Sequence, residues 1–429
     1  METILTEKQI EAINSIKEGK NIFLTGPAGS GKSFLLKYFI DWYKIEKEND
    51  SNKIFVTSTT GLSALLINGM TINRYSGIGI GDKDCDTYYK KIMRLKNIKL
   101  RWINTSILVI DEISMMDPDL FDKLEILARK IRKNEKPFGG IQIILSGDFF
   151  QLPPVKNDNF CFESFSWNDV IDKTYYFDRI IRQNDTKLQK ILNNIRIGIV
   201  NEEVKELLNT CLNKDLKVPE GINPTLIFSR KNMVLDYNNK ELNKLIDSGI
   251  EFKIYNSTYN FLDNKKMSND TKESYKELLD SQYQVENMIK LSISSQVMLT
   301  INMPEQELAN GSIGIIVGFT KDEKHYPIVQ FLNNVKIVIK EHEYLIDEEK
   351  ISKFQIPLIL SWAITIHKAQ GMSLDYIQTD IGNTIFEYGQ VYVVLSRIKN
   401  LEGLSLNNID YSKIKAHPKV LRYYEKLKV

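Results

Sequence analysis

Lys32 and Ser33 close the octapeptide Gly26-Pro27-Ala28-Gly29-Ser30-Gly31-Lys32-Ser33, whose residue types suit the cradling of a polyphosphate. Glycines at 26, 29 and 31 let the backbone turn tightly and aim its N–H groups at a β-phosphate. Lys32 reaches the β- and γ-phosphates, and the Ser33 hydroxyl is placed to hold Mg²⁺. Two acids, Asp111 and Glu112, end the apolar run Leu108-Val109-Ile110. In phosphate-loop enzymes the first such acid holds Mg²⁺, and its neighbour polarises the attacking water. Further on, Gly147-Asp148-Phe149-Phe150-Gln151-Leu152-Pro153-Pro154 supplies Gln151, an uncharged group able to hydrogen-bond the γ-phosphate or the water and report its loss. Gln9, in Leu5-Thr6-Glu7-Lys8-Gln9, has two readings that can hold together. It completes a helix capping box with Thr6, and its amide can pair with an adenine edge. The ligand these residues imply is ATP with Mg²⁺. Gln9, Gly26, Pro27, Ala28, Gly29, Ser30, Gly31, Lys32, Ser33 and Asp111 are expected to bind it, with Ser33 and Asp111 on the metal and Glu112 and Gln151 in catalysis.

These groups need strand ends to carry them. Ile22 to Leu24, Ile54 to Val56, Ile107 to Ile110 and Ile141 to Leu145 are short runs rich in Ile, Val and Leu, and they read as buried parallel strands. Helical patterns separate them; Asp122 to Lys133 places Leu124, Leu127, Ala128 and Ile131 on one face. The alternation predicts an α/β domain with a parallel sheet over about 1–183. A second α/β pattern follows. It has a strand at Thr225 to Phe228, a helix from Asn232 to Leu245, a strand from Pro357 through Ile364, another at Tyr376 to Ile381, and a helix entered near Gly389. Between its halves lie a polar stretch, about 253–290, and then strand-like runs at Val297 to Thr300, Ile313 to Val317, Ile328 to Phe331 and Val335 to Ile339. Turns such as Asn310-Gly311 break them, so they read as an inserted, barrel-like β module.

Composition narrows the class. A chain of 429 residues needs more than one core, and 42% hydrophobic with 26% charged residues describes a soluble globular protein. No apolar run approaches a membrane span, and Met1-Glu2-Thr3-Ile4 does not read as a signal peptide. Cys85, Cys161 and Cys211 lack the spacing of a disulfide framework or a zinc site, so a reducing, intracellular compartment is expected: cytoplasm or nucleoid, or the nucleus of a eukaryote. A net charge of +2 means that any nucleic-acid affinity must come from local grooves.

Several longer stretches are similar to the motifs of superfamily 1B DNA helicases of the PIF-one type, relatives of the RecD-type enzymes, over nearly the whole chain. The most specific is Asp122-Lys123-Leu124 through Arg129 and Arg132 to Pro137-Phe138-Gly139-Gly140-Ile141-Gln142. Thr60-Gly61-Leu62-Ser63-Ala64 and Gly69-Met70-Thr71-Ile72 resemble the motif that grips the DNA backbone, and Arg182-Gln183 resembles the fourth motif. Asn310-Gly311-Ser312-Ile313-Gly314 is similar to a turn of the inserted β module. Trp362 to Gly371 resembles the fifth motif, and Tyr392-Val393-Val394-Leu395-Ser396-Arg397 the sixth. Two departures stand out: Asn73-Arg74-Tyr75 where relatives have His-Ser-Phe, and Val394 in place of Ala.

The resemblance implies two RecA-like motor domains, 1–183 and 184–252 with 356–429. It implies a small wedge insertion at about 77–100 and an SH3-like β-barrel module at 253–355. It makes Arg182 and Arg397 arginine fingers across a cleft, although Arg397 also fits a surface salt bridge. It assigns a DNA track to Thr60, Thr71, Asn73, Arg74, Tyr75, Phe149, Gly311, Thr365, His367, Lys368 and Gln370. Of these, His367 equally suits a buried structural histidine, and Tyr75 and Phe149 suit the core as well as base stacking. The implied activity is 5′→3′ translocation on single-stranded DNA, unwinding duplexes, forks or G-quadruplexes in genome maintenance. The partners are single strands and single-strand/duplex junctions and no membrane, and the motor is monomeric but able to pair on DNA. A nucleotide-gated single-strand clamp, or a translocase without unwinding, is the competing expectation.

Overall fold

The computed structural model describes residues 5–46, 53–79, 81–154, 157–181, 185–261, 268–269, 272–273, 276–277, 279–280, 285–346 and 351–427. Packing divides the chain into two units. One holds Met1–Glu206, Phe386–Ser396 and Tyr411–Val429; the other holds Leu207–Ile385 and Arg397–Asp410.

In the first unit six parallel strands lie in the order Met70–Thr71, Ile54–Ser58, Ile107–Asp111, Gln142–Gly147, Ile22–Thr25 and Lys173–Tyr176. Ile22–Thr25 and Ile107–Asp111 are buried along their whole length, as strands covered on both faces must be, and this is why their sequences are continuously apolar rather than alternating. The register sets Thr25 beside Gly147 and Ser58 beside Asp111. The phosphate loop, the acidic pair and the Gln151 loop therefore all leave the carboxyl edge of one sheet, the side on which open α/β folds bind ligands. The helix Pro118–Arg132 begins at Asp117, whose carboxylate accepts from the Asp119 and Leu120 N–H groups, and buries Phe121, Leu124, Leu127, Ala128 and Ile131. The segment expected to insert as a wedge, about 77–100, holds the helix Cys85–Arg94 and the start of the helix Lys96–Asn104. Tyr88, Ile92 and Trp102 sink from them into the core, so this segment is built onto the first unit.

The second unit has a parallel sheet ordered Ala363–Thr365, Thr225–Phe228, Ile377–Ile381, Leu404–Ile409. It also carries an antiparallel five-stranded sheet ordered Lys336–Val338, Pro327–Phe331, Ile313–Phe319, Gln296–Leu299, Leu358–Leu360, with smaller three- and two-stranded sheets beside it. The run read as one strand through Ile364 is divided. Leu358–Leu360 completes the antiparallel sheet, and Ala363–Thr365 joins the parallel one. The two sheets thus share a single apolar stretch of sequence.

Candidate nucleotide site and strand-contact residues

The strand Ile22–Thr25 runs into the phosphate loop, which ends in the helix Lys32–Glu46. Gly26 has φ 145°, and a Cβ there would stand 2.2 Å from the Phe177 carbonyl oxygen, so no other residue fits. The Lys32 ammonium donates to the carbonyls of Gly26 and Pro27 at 2.8 and 2.9 Å. Burial lowers its pKa, while Asp148, Glu112 and Asp111 pull it back up. The Ala28 N–H donates to the Tyr392 hydroxyl at 2.7 Å. Ser30 is buried, and its hydroxyl has no partner. Gln9 fulfils the capping box: the Thr6 N–H donates to its Oε1 at 3.0 Å, and its own N–H donates to Thr6 Oγ1 at 3.3 Å. That pairing fixes the amide, so Nε2 faces the phosphate loop, 2.9 Å from where a Cβ on Gly31 would stand.

Across the sheet edge, Ser33 Oγ donates to Asp111 Oδ2 at 3.3 Å, and the Glu112 N–H donates to Asp111 Oδ1 at 2.9 Å. Burial raises the Asp111 pKa above the ordinary 3.8, and hydrogen bonds and Lys32 counter this in part. Glu112 itself sits at φ 53°, a left-handed conformation unusual for a residue with a side chain, and Thr59 Oγ1 donates to its carbonyl at 2.9 Å. Gln151 is 5% exposed, and its Oε1 has no hydrogen-bond partner, so an acceptor stands open beside the loop. A Cβ on Gly389 would lie 2.5 Å from the Gln151 carbonyl, which brings the helix Gln390–Leu395, with Tyr392, against this loop.

Asp148 takes a part that sequence reasoning leaves unassigned. Its carboxylate accepts from Arg196 Nε at 2.9 Å and Nη2 at 2.7 Å, both side chains being buried. Burial opposes the Arg196 charge, but Asp148 outweighs it and keeps the guanidinium protonated. Arg196 lies 4.4 Å over the Phe150 ring, and its Nη1 donates to the Tyr176 hydroxyl. A signal for it exists in the sequence. The helix Thr186–Arg196 buries Leu188, Ile191, Leu192 and Ile195, and Arg196 stands four residues after Leu192, on the stripe the helical period assigns to the core.

Of the expected strand contacts in the first unit, Thr60, Thr71, Asn73 and Arg74 are partly exposed. Thr60 Oγ1 accepts from the Ser63 N–H, and the Ser63 hydroxyl meets that of Ser58, which donates to the Asp111 carbonyl, so hydroxyls connect this motif to the acidic strand. Thr71 caps the helix Ile72–Ser76, and Asn73 donates to the Gly79 carbonyl. Tyr75 and Phe149 correct the base-stacking expectation, being 0% and 1% exposed. Tyr75 donates to Thr105 Oγ1 and packs on Phe55 and Trp102, while Phe149 is ringed by Phe23, Phe160, Phe162, Trp167 and Tyr423. Arg182 lies outside the described residues.

In the second unit Thr365 caps the helix Ile366–Ala369, accepting from the Lys368 N–H at 3.1 Å. His367 is exposed, which removes the buried-histidine reading; Lys368 is partly exposed and Gln370 is buried. At Gly311, φ 97°, a Cβ would stand 3.5 Å from the Met372 side chain, just past the fifth motif. Its neighbour Asn310 is 6% exposed with neither amide atom hydrogen-bonded. Arg397 is 1% exposed and donates to the Met372 carbonyl at 3.4 Å, so it is not a surface salt bridge. Among the described residues no cluster of three or more His, Cys, Asp or Glu could hold a metal, and no helix is long and apolar enough to cross a membrane.

The family model described as PIF1-like helicase matches residues 4–206. ATP-dependent DNA helicase RRM3 of Saccharomyces cerevisiae is 36% identical over 99% of this chain and 68% of its own length. The crystal structure of Pif1 helicase from Candida albicans superposes with a TM-score of 0.82 at 33% identity, covering 99% of this chain and 100% of that one. Bacteroides Pif1 is 27% identical and covers 100% of this chain and 98% of its own. Its complex with ADP-AlF4 superposes with a TM-score of 0.77 and its complex with ssDNA with 0.68. With the phosphate loop, the acidic pair and the Gln151 loop gathered on one sheet edge, and with relatives matched along nearly its full length, this chain belongs to the PIF1-like helicase family.

Proposed function

We propose that this ATP-dependent DNA helicase moves 5′→3′ along single-stranded DNA and separates the duplex ahead of it. The observation that carries the motor reading is the approach of Ser33 Oγ to Asp111 Oδ2, 3.3 Å, with Glu112 next in the chain and Lys32 in the adjoining loop. A hydroxyl and a carboxylate at that spacing are hard oxygen donors of the kind Mg²⁺ takes from one or two side chains beside nucleotide phosphates. They would hold the ion, which when bound neutralises charge on the β- and γ-phosphate oxygens. The loop's amides and Lys32 grip the phosphates, Glu112 orients the attacking water, and Gln151 hydrogen-bonds the γ-phosphate through its side-chain amide. Gln9 Nε2 contacts the adenine edge, and Arg182 and Arg397 act as transition-state cations. Thr60, Thr71, Asn73, Arg74, Gly311, Thr365, His367, Lys368 and Gln370 hold a single strand by its backbone, without reading sequence. Bound DNA, as in the relative's ssDNA complex, is taken at single strands and junctions by a monomeric motor able to pair there. The segment 77–100 parts the strands.

Matched duplexes with either a 5′ or a 3′ single-stranded tail test this, with Lys32→Ala as control. ATP-dependent unwinding from the 5′ tail alone, abolished by Lys32→Ala, is expected. Unwinding from the 3′ tail overturns the polarity. DNA-stimulated hydrolysis with no unwinding of either substrate replaces the helicase by a translocase or clamp.

A further inference from the structure

The helix Pro418–Leu427 belongs to the first unit and buries Val420 and Tyr424 in its core. Tyr424 reaches the back of the nucleotide site. Its hydroxyl lies 2.5 Å from Thr25 Oγ1, accepts from the Phe149 N–H at 3.2 Å, and donates to Asp148 Oδ1 at 3.4 Å. A phenol has one donor and two acceptor sites, so with Thr25 donating, every site on this oxygen is used. The partners are consequential. Thr25 is the residue before Gly26 of the phosphate loop, and Asp148 and Phe149 precede Gln151 by three and two residues. The ring of Tyr424 stacks on Phe150 at 4.8 Å with 22° between planes, and Arg196 lies 5.1 Å over it while holding both oxygens of Asp148. One side chain thus spans the two strand ends whose loops carry Lys32 and Gln151, and the Asp148–Arg196 pair braces the same point from the helix Thr186–Arg196.

The geometry points to Tyr424 as a positioning residue for ATP hydrolysis, setting the separation of the phosphate loop and the Gln151 loop. This rests on the nucleotide-site reading above. The nucleotide is gripped mainly by the loop, Lys32 and Ser33, whereas Gln151 matters as the γ-phosphate leaves. A slip between the two loops therefore lowers kcat more than it weakens binding. Small misplacements of this kind cost on the order of ten- to a hundredfold in rate.

The test is steady-state, DNA-stimulated ATP hydrolysis at 25 °C by the full chain and by Tyr424→Phe, which keeps the stacked ring and removes only the hydroxyl, with melting curves recorded alongside. The expected result is a kcat lowered about tenfold with KM for ATP unchanged. Thr25→Val cuts the same contact from the other end, and the double variant is expected to be no slower than the slower single one, as for two partners in one interaction. Tyr423→Phe, its neighbour on the same helix, should leave kcat as it is. An unchanged kcat in Tyr424→Phe overturns the assignment, as does an equal loss in Tyr423→Phe, which would make the helix a packing element only. If Tyr424→Phe does not fold, the Thr25→Val kcat and KM decide by the same criterion. A wild-type chain without DNA-stimulated hydrolysis sinks the nucleotide-site reading itself, an outcome distinct from the others.

Discussion

Asp111 carries a conflict between folding and chemistry. Its carboxylate is buried, and burial raises its pKa above 3.8, yet the cation-holding role proposed for it beside Ser33 requires it ionised. The sign of the linkage follows. A group with a raised folded-state pKa stabilises the fold below its unfolded value, and that contribution is lost as pH rises through the folded value. Over the same interval the carboxylate becomes available to the ion. The acid limb of kcat/KM for Mg²⁺-dependent hydrolysis should therefore lie above pH 3.8, which a pH–rate profile reads directly. Asp111→Asn removes the buried charge while leaving oxygen to accept the Glu112 N–H. Without nucleotide at pH 7 it should be more stable to unfolding, by about 1 kcal/mol, and so melt higher, while hydrolysis is lost. A lower melting temperature would mean that the charge is compensated within the fold.

At the scale of elements, Phe149 ties three of them together. Its ring meets Phe23 of the phosphate-loop strand at 5.4 Å, Trp167 of the short helix Trp167–Val170 at 5.8 Å and Tyr423 of the helix Pro418–Leu427 at 5.7 Å. Phe149→Ala should lower unfolding stability by about 3–5 kcal/mol in a denaturant titration, with single-strand affinity of the folded protein unchanged; a base-stacking residue would show the reverse. Phe149 also marks a limit of sequence reading, because an aromatic after a strand suits core and ligand alike, and only burial separates them. The phosphate loop, Asp111, Glu112 and the parallel strands were legible because each is written locally, as an apolar run followed by its loop. The capping box at Gln9 was legible for the same reason. Tyr392 and Tyr424 were not, since they touch Ala28 and Thr25 from 364 and 399 residues away, and no local pattern encodes such a pairing. The double use of the stretch before Ile364 is not legible in this way, because Leu358-Ile359-Leu360 and Ala363-Ile364 read as one apolar run interrupted only by Ser361-Trp362.

For the whole molecule, charge sets the terms on which DNA can be held. With 57 basic residues against 55 acidic ones there is no general attraction to a polyanion, so affinity has to come from a few placed cations and from neutral donors. Lys368 is the sharpest case. Burial lowers its pKa, and Glu286 raises it only in part, so its ammonium stands where solvent compensates it poorly and a phosphate would. Each phosphate neutralised on a single strand releases counterions and adds about −0.7 to the slope of log K against log salt. Single-strand binding should therefore weaken linearly on this scale between about 50 and 200 mM salt. Lys368→Ala should make the slope shallower by about 0.7 for every oligonucleotide sequence tried, because a backbone contact carries no base information. The same slope in wild type and variant would remove Lys368 from the strand path. A loss confined to particular sequences would mean that it touches bases instead.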